Sequence, residues 1–191
     1  MSTQTEKPLE ITAEMTPNPN TLKFIVNRSL VETGSLNFTD KEKAKGSLLP
    51  EKLFEIQNVL GVMVGRDFIT VTKRPETSWN PLVEPLTNSI RTLLSSGQVL
   101  FGQSTPAPVA DGHGAESEIA KKIQQILDSE IRPAVAMDGG DIIFYGYENG
   151  VVTLHLQGSC SSCPSSVMTL KMGVENRLKS LIPEVREVVQ V

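Results

Sequence analysis

Apolar residues recur along this chain at two periods, and the period changes at turn residues. Leu9–Met15 and Leu22–Val26 read as strands around Thr16-Pro17-Asn18-Pro19-Asn20, where two prolines and two asparagines enforce a turn and block a helix. Phe24 and Val26 alternate with Lys23, Ile25 and Asn27, an imperfect period of two. Pro50 opens a helix with Leu53, Phe54 and Ile56 on its apolar face. Gly61–Val64 and Phe68–Thr72, around Gly65-Arg66-Asp67, predict a hairpin. Pro81 opens a last helix with Leu82, Leu86, Ile90, Leu93 and Leu94 on one face, and Pro85 predicts a later start or a kink. This part reads ββαββα.

The pattern then lapses. Residues 97–115 carry one charge, Asp111, are rich in Gly, Ala and Pro, and show only a short apolar patch at Val99–Phe101. That composition predicts a flexible linker between a first domain, 1–96, and a second, 116–191. In the second, Ile119, Ile123, Ile126, Leu127 and Ile131 predict an amphipathic helix over Glu116–Ile131, with Pro133 just past its end. A strand Ile142–Tyr147, a tight turn Glu148-Asn149-Gly150 and a strand Val151–Gln157 follow. Val152, Leu154 and Leu156 face one way; Thr153, His155 and Gln157 face the other. Val167, Leu170, Val174, Leu178 and Leu181 mark the buried face of the next helix, and Val185–Val191 closes the domain as a strand. The order is αββαβ. The fold class expected is α+β, with two small α/β-sandwich domains.

Charge narrows the partners. The 191 residues hold 18 Lys plus Arg against 22 Asp plus Glu, a net charge of -4. The pI is near 5.3. That excludes a nucleic-acid binder working through a basic field. No stretch approaches the roughly 20 apolar residues of a membrane helix. Met1–Glu10 has no apolar core and is not Arg-rich, so neither a secretory signal nor a transit peptide is expected. The compartment expected is the cytoplasm; a mitochondrial matrix protein without its transit peptide is the alternative.

The chemistry concentrates at the only two cysteines, Cys160 and Cys163. Two thiols exclude a disulfide scaffold, and their spacing without an export signal points to metal or redox chemistry. Pro164 suits the first helical position, which makes Cys163 the helix N-cap. The N–H groups of Ser165 and Ser166 and the positive helix end then favour thiolate. The surrounding serines predict accessible thiols outside the core pattern. Three readings compete: a chance pair in a polar loop, a dithiol–disulfide redox site, and metal or cluster ligation. Tetrahedral zinc and cubane clusters take about four ligands, so ligation by two thiols per chain predicts a symmetric dimer sharing the site.

Other residues carry blander readings. His155 reads as a surface histidine, and His113 falls in the linker. Asp138-Gly139-Gly140-Asp141 reads as a turn with glycines in unusual conformations rather than a carboxylate pair. Trp79 reads as a packing residue, and Gly173 as a mark of close helix–sheet approach.

Met137-Asp138-Gly139-Gly140-Asp141 with Gly158-Ser159-Cys160-Ser161-Ser162-Cys163-Pro164-Ser165-Ser166 resembles the C-terminal domain of NifU. Met15-Thr16-Pro17-Asn18-Pro19-Asn20-Thr21-Leu22-Lys23-Phe24 through Gly65–Lys73 resembles the Nfu N-terminal domain. The resemblance implies a non-enzymatic iron–sulfur cluster scaffold or carrier. It implies that Cys160 and Cys163 of two chains hold a bridging [4Fe-4S] cluster in a homodimer. Upstream cluster donors and recipient apo iron–sulfur proteins are the implied partners, with no nucleic acid and no membrane. The first domain, lacking Cys, would serve target recognition or stabilise the carrier.

Overall fold

The computed structural model describes residues 8–102, 115–161 and 164–191. The structure is mixed α and β in two small units, each with its own apolar core.

The first unit is a five-stranded antiparallel sheet in the order β1-β2-β5-β4-β3, with two helices on one face. β1 (Ile11–Met15) pairs with β2 (Thr21–Val26) around the proline-rich turn. β3 (Leu36–Phe38) lies at the far edge and pairs with β4 (Val59–Val64), which pairs with β5 (Phe68–Lys73). The helices are α1 (Leu48–Phe54) and α2 (Asn80–Ser95). β3 corrects the expected ββαββα order: three residues are too short for an alternation to register. α2 is continuous from Asn80 with Pro85 inside it, so it does not start late. Pro85 faces solvent and forfeits one backbone hydrogen bond near the helix start.

Register assigns the two sheet faces. Phe24 sits opposite Ile69, and Leu22 opposite Val71, which is in turn opposite Val62. These residues, with Leu49, Leu53, Leu86 and Ile90, build the core under the helices. The alternate set, including Lys23, Met63 and Thr70, points to the other face. All three are nonetheless buried, because the second unit lies against that face through β4 and β5.

In the second unit, β6 (Gly140–Glu148) and β7 (Val151–Gly158) form a hairpin, and β8 (Glu187–Gln190) pairs parallel to β7. Asn149 and Gly150, at φ 51° and 85°, make the tight turn. α5 (Pro164–Leu181) supplies the crossover that a parallel pair needs. Val152, Leu154 and Leu156 meet Ile123, Leu127, Val174 and Leu178 in the core.

Three expectations are corrected here. The helix of the second unit does not end before Pro133. α3 (Ala115–Ile126) widens into a π-helical segment, Leu127–Ile131, and continues as α4 (Arg132–Met137). The wider turn moves the carbonyl that Pro133 would strike, so the chain passes the proline without breaking. Leu181 is 44% exposed, and Ile182 takes the place in the core. The start of the expected linker is ordered: Leu100 and Phe101 pack on the first core, and the Gly102 N–H donates to Ser47 Oγ at 3.0 Å. The rest of that linker, with His113, lies outside the described residues. Among the described residues no helix is long and apolar enough to cross a membrane.

Candidate cysteine site

Cys160 lies two residues past the end of β7, in a turn tied to the preceding glycine loop. The Ser159 N–H donates to the Gly139 carbonyl at 3.1 Å, and the Ser159 hydroxyl donates to the Asp138 carbonyl. Gly139 and Gly158 hold φ of 76° and 66°, the left-handed region that glycine enters without strain. Gly140 matters for a different reason. A Cβ there would stand 2.6 Å from Cys160 Sγ and 2.9 Å from the Gln157 carbonyl oxygen. The expected turn in Asp138–Asp141 is therefore present, with Gly139 bending the backbone and Gly140 making room for the sulfur.

The thiol is not accessible as expected. Cys160 is 5% exposed and belongs to the apolar core of the second unit. The space vacated by the Gly140 side chain lets Sγ turn inward, and the Ser159 hydroxyl lies 3.7 Å from it. Cys160 lines a mostly apolar cavity of about 470 Å³. Its walls include Val135 and Asp138 from the α4 end, Leu170 and Gly173 from α5, and Pro17 and Asn18 from the first unit. Gly173 has no atom within 4 Å of a built Cβ, so it widens this cavity rather than marking close packing. Cys163 and its N-cap geometry lie outside the described residues, while α5 does begin at Pro164. Among the described residues no three His, Cys, Asp or Glu side chains converge as a metal site.

The charged partner of the glycine loop is Asp141, 6% exposed. Its carboxylate accepts two hydrogen bonds from Arg132, from Nε at 2.9 Å and Nη2 at 2.8 Å, and another from the Ile142 N–H at 2.8 Å. Hydrogen bonding to Asp141 holds the Arg132 guanidinium charged, its pKa raised above the ordinary value although burial opposes this. Asp141 is thus a structural anchor; it is paired to Arg132, not to Asp138. His155 remains a part-exposed strand residue, hydrogen-bonded through Nδ1 to the Val191 carbonyl. Trp79 packs on the first core and donates Nε1–H to the Pro19 carbonyl at 2.9 Å.

Residues of the first unit reach this site, and the sequence carried no sign of it. Asn18 Nδ2 donates to the Ser159 carbonyl at 3.1 Å. Lys23 Nζ donates to the carbonyls of Ala136 at 2.8 Å and Met137 at 3.2 Å. Ser35 Oγ donates to Asp141 and lies 3.3 Å from Gln157 Oε1.

Filling the gap at Gly140 tests the packing. Gly140→Ala is expected to lower stability by about 1–3 kcal/mol through overpacking, and to displace Cys160 Sγ. A urea midpoint unchanged from the parent would show that the loop yields freely.

Comparison with known proteins follows the same two halves. Residues 123–189 match the family described as NifU-like domain. Residues 11–97 match the family described as scaffold protein Nfu/NifU N terminal. A Homo sapiens protein named NFU1 iron-sulfur cluster scaffold homolog, mitochondrial, is 45% identical over 95% of this chain and 71% of its own length. An Arabidopsis thaliana protein named NifU-like protein 4, mitochondrial, is 41% identical over 94% of this chain and 65% of its own length. The chain therefore spans about two thirds to seven tenths of these relatives. A solution structure of a NifU-like protein from Saccharomyces cerevisiae aligns over 55% of this chain and 94% of that one, at 24% identity and a TM-score of 0.47.

Proposed function

Since the chain belongs to the Nfu/NifU family of iron–sulfur cluster scaffolds, we propose that it carries a [4Fe-4S] cluster as cargo, bridged between two copies by Cys160 and Cys163, and passes it to apo-proteins. The observation that carries this reading is Cys160 Sγ on the wall of the cavity between the glycine loop and α5. That cavity is walled by Leu170, Gly173 and Val174 of α5. Cubane clusters are held by about four thiolates, and one chain has two, so a second copy completes the set. The cluster itself supplies the iron and sulfide that are transferred; the chain binds, orients and releases it. Release would proceed by ligand exchange, each iron–thiolate bond to this chain breaking as one to a recipient thiolate forms and the recipient's thiol proton passing to the freed cysteine; the cargo is handed on unchanged, so the role is non-enzymatic. The domain limits proposed are 1–96, 97–115 and 116–191. The relatives are mitochondrial by name, which weakens the cytoplasmic expectation; cell fractionation assigns the compartment.

The test is anaerobic reconstitution with iron and sulfide, followed by iron, sulfide and zinc assays and native mass. About four iron and four sulfide per dimer is the expected result. A monomer without iron that cycles between dithiol and disulfide would move the assignment to a redox enzyme. Zinc without sulfide would move it to a structural metal dimer.

A further inference from the structure

We propose that the first domain is a lid over the cysteine loop of its own chain, and that closing the lid and loading the cluster exclude one another. This inference rests on the scaffold reading of Cys160 and concerns the regulation of that site.

The contact between the domains is shaped for one seat. Lys23 is 9% exposed, on a sheet face that carries no helix of its own domain. A buried ammonium needs compensation. Lys23 finds it in the Ala136 and Met137 carbonyls at the end of α4, where the negative helix end favours a cation. Its ammonium also stands 4.8 Å from the centre of the Phe68 ring. Ser35 makes a second latch on Asp141. Asn18 makes the third, on the carbonyl of Ser159, the residue before Cys160. Asn18 is itself pre-set: the Thr16 hydroxyl bonds the Asn18 carbonyl at 2.9 Å, and Asn18 Oδ1 accepts the Asn20 N–H at 3.0 Å. Shape agrees with these bonds. A Cβ on Gly139 would strike Thr70 Cγ2 at 2.8 Å, and one on Gly158 would strike Met63 Sδ at 2.8 Å.

The consequence falls on the sulfur. Pro17 and Asn18 close one side of the cavity that Cys160 lines. A cluster shared with a second chain must bond Cys160 Sγ and bring that chain's thiolates beside it. With the first domain seated on that side, the second chain meets Pro17 and Asn18 where its thiolates must come, so on this proposal a loaded protein has its lid open. The seam is also built to open. Among the described residues, the Thr70 hydroxyl is buried in it with no hydrogen-bond partner, and opening returns that group to water. A cluster that binds only the open form shifts the population toward it, and weakening the latch raises the apparent affinity.

The experiment uses the full chain without cluster, with Cys163→Ser so that Cys160 is the sole thiol. Its alkylation by iodoacetamide is timed in this parent, in Lys23→Glu, and in the Asn18→Ala/Ser35→Ala double variant. All three sites lie on the outer side of the first domain once the lid is open, so the second variant guards against a folding defect in the first, and circular dichroism checks both. Alkylation roughly tenfold or more faster in both variants is expected, from the loss of charge-assisted or paired hydrogen bonds. Equal rates in the parent and both variants would overturn the lid. A second arm reconstitutes the cluster on chains that keep both thiols. Lys23→Glu should load at lower iron and sulfide than the parent. Gated alkylation with equal loading would overturn the exclusion, and gated alkylation with no cluster in either protein would overturn the scaffold reading while leaving the lid standing.

Discussion

Serine in place of Cys160 is expected to leave the reconstituted protein with essentially no iron and no sulfide. The hydroxyl replaces a soft thiolate donor, and iron–sulfur clusters select thiolates. In a bridged dimer one substitution removes two of the four sulfurs, so no partial occupancy should survive. The same change is expected to weaken the fold, contrary to a thiol outside the core. Cys160 sits among apolar side chains, and the more polar hydroxyl is costlier to bury there than the thiol, by about 1 kcal/mol or more. Alanine separates the two effects, because it loses the ligand without burying a new polar group. Iron and sulfide assays together with urea midpoints of both variants make the check. A serine variant that retains the full cluster would remove Cys160 from the ligand set.

Asp141→Ala is expected to lower stability by about 3 kcal/mol. The carboxylate is buried and accepts a forked pair of bonds from Arg132. Removing one member of such a pair strands the other, typically at about 3–5 kcal/mol. The lower end applies here because Arg132 is partly exposed and keeps Asp128 at 3.1 Å. The loss also frees the Ile142 N–H and the Ser35 hydroxyl. Asp141→Asn should recover part of it. The single tryptophan, Trp79, lies in the first core. Unfolding followed by circular dichroism should therefore shift more than unfolding followed by tryptophan fluorescence. Equal shifts in both signals would mean that the two units unfold as one.

Most elements were legible because each helix or long strand buries one face, and a buried face leaves its period in the sequence. The stripes Ile123–Leu127 and Val152–Leu154–Leu156 are read in this way, and they meet in one core. β3 was not, since Leu36, Asn37 and Phe38 are too few to show an alternation. The proline rule failed at Pro133 because a π-helical segment removes the clash that the rule assumes. The cysteine pair was visible from its spacing alone, but its environment was not. Lys23 and Gln157 look like solvent-facing positions on their strands, and they are buried by residues more than a hundred places away. No local window holds that information. The inward turn of Cys160 likewise depends on Gly140, which reads only as part of a turn.

The seam between the two domains has a further consequence through its covalent tether. The three polar latches do not have to hold two separate molecules together. Joined on one chain, the partners meet at an effective concentration far above that of two free molecules in a cell. A weak contact then suffices for occupancy, and it stays weak enough to break quickly. The same tether sets a threshold for outsiders. A recipient that presents a surface to either half of the seam competes with a neighbour that never diffuses away, so dilute or poorly matched proteins are turned aside, and only a well-fitted one displaces it.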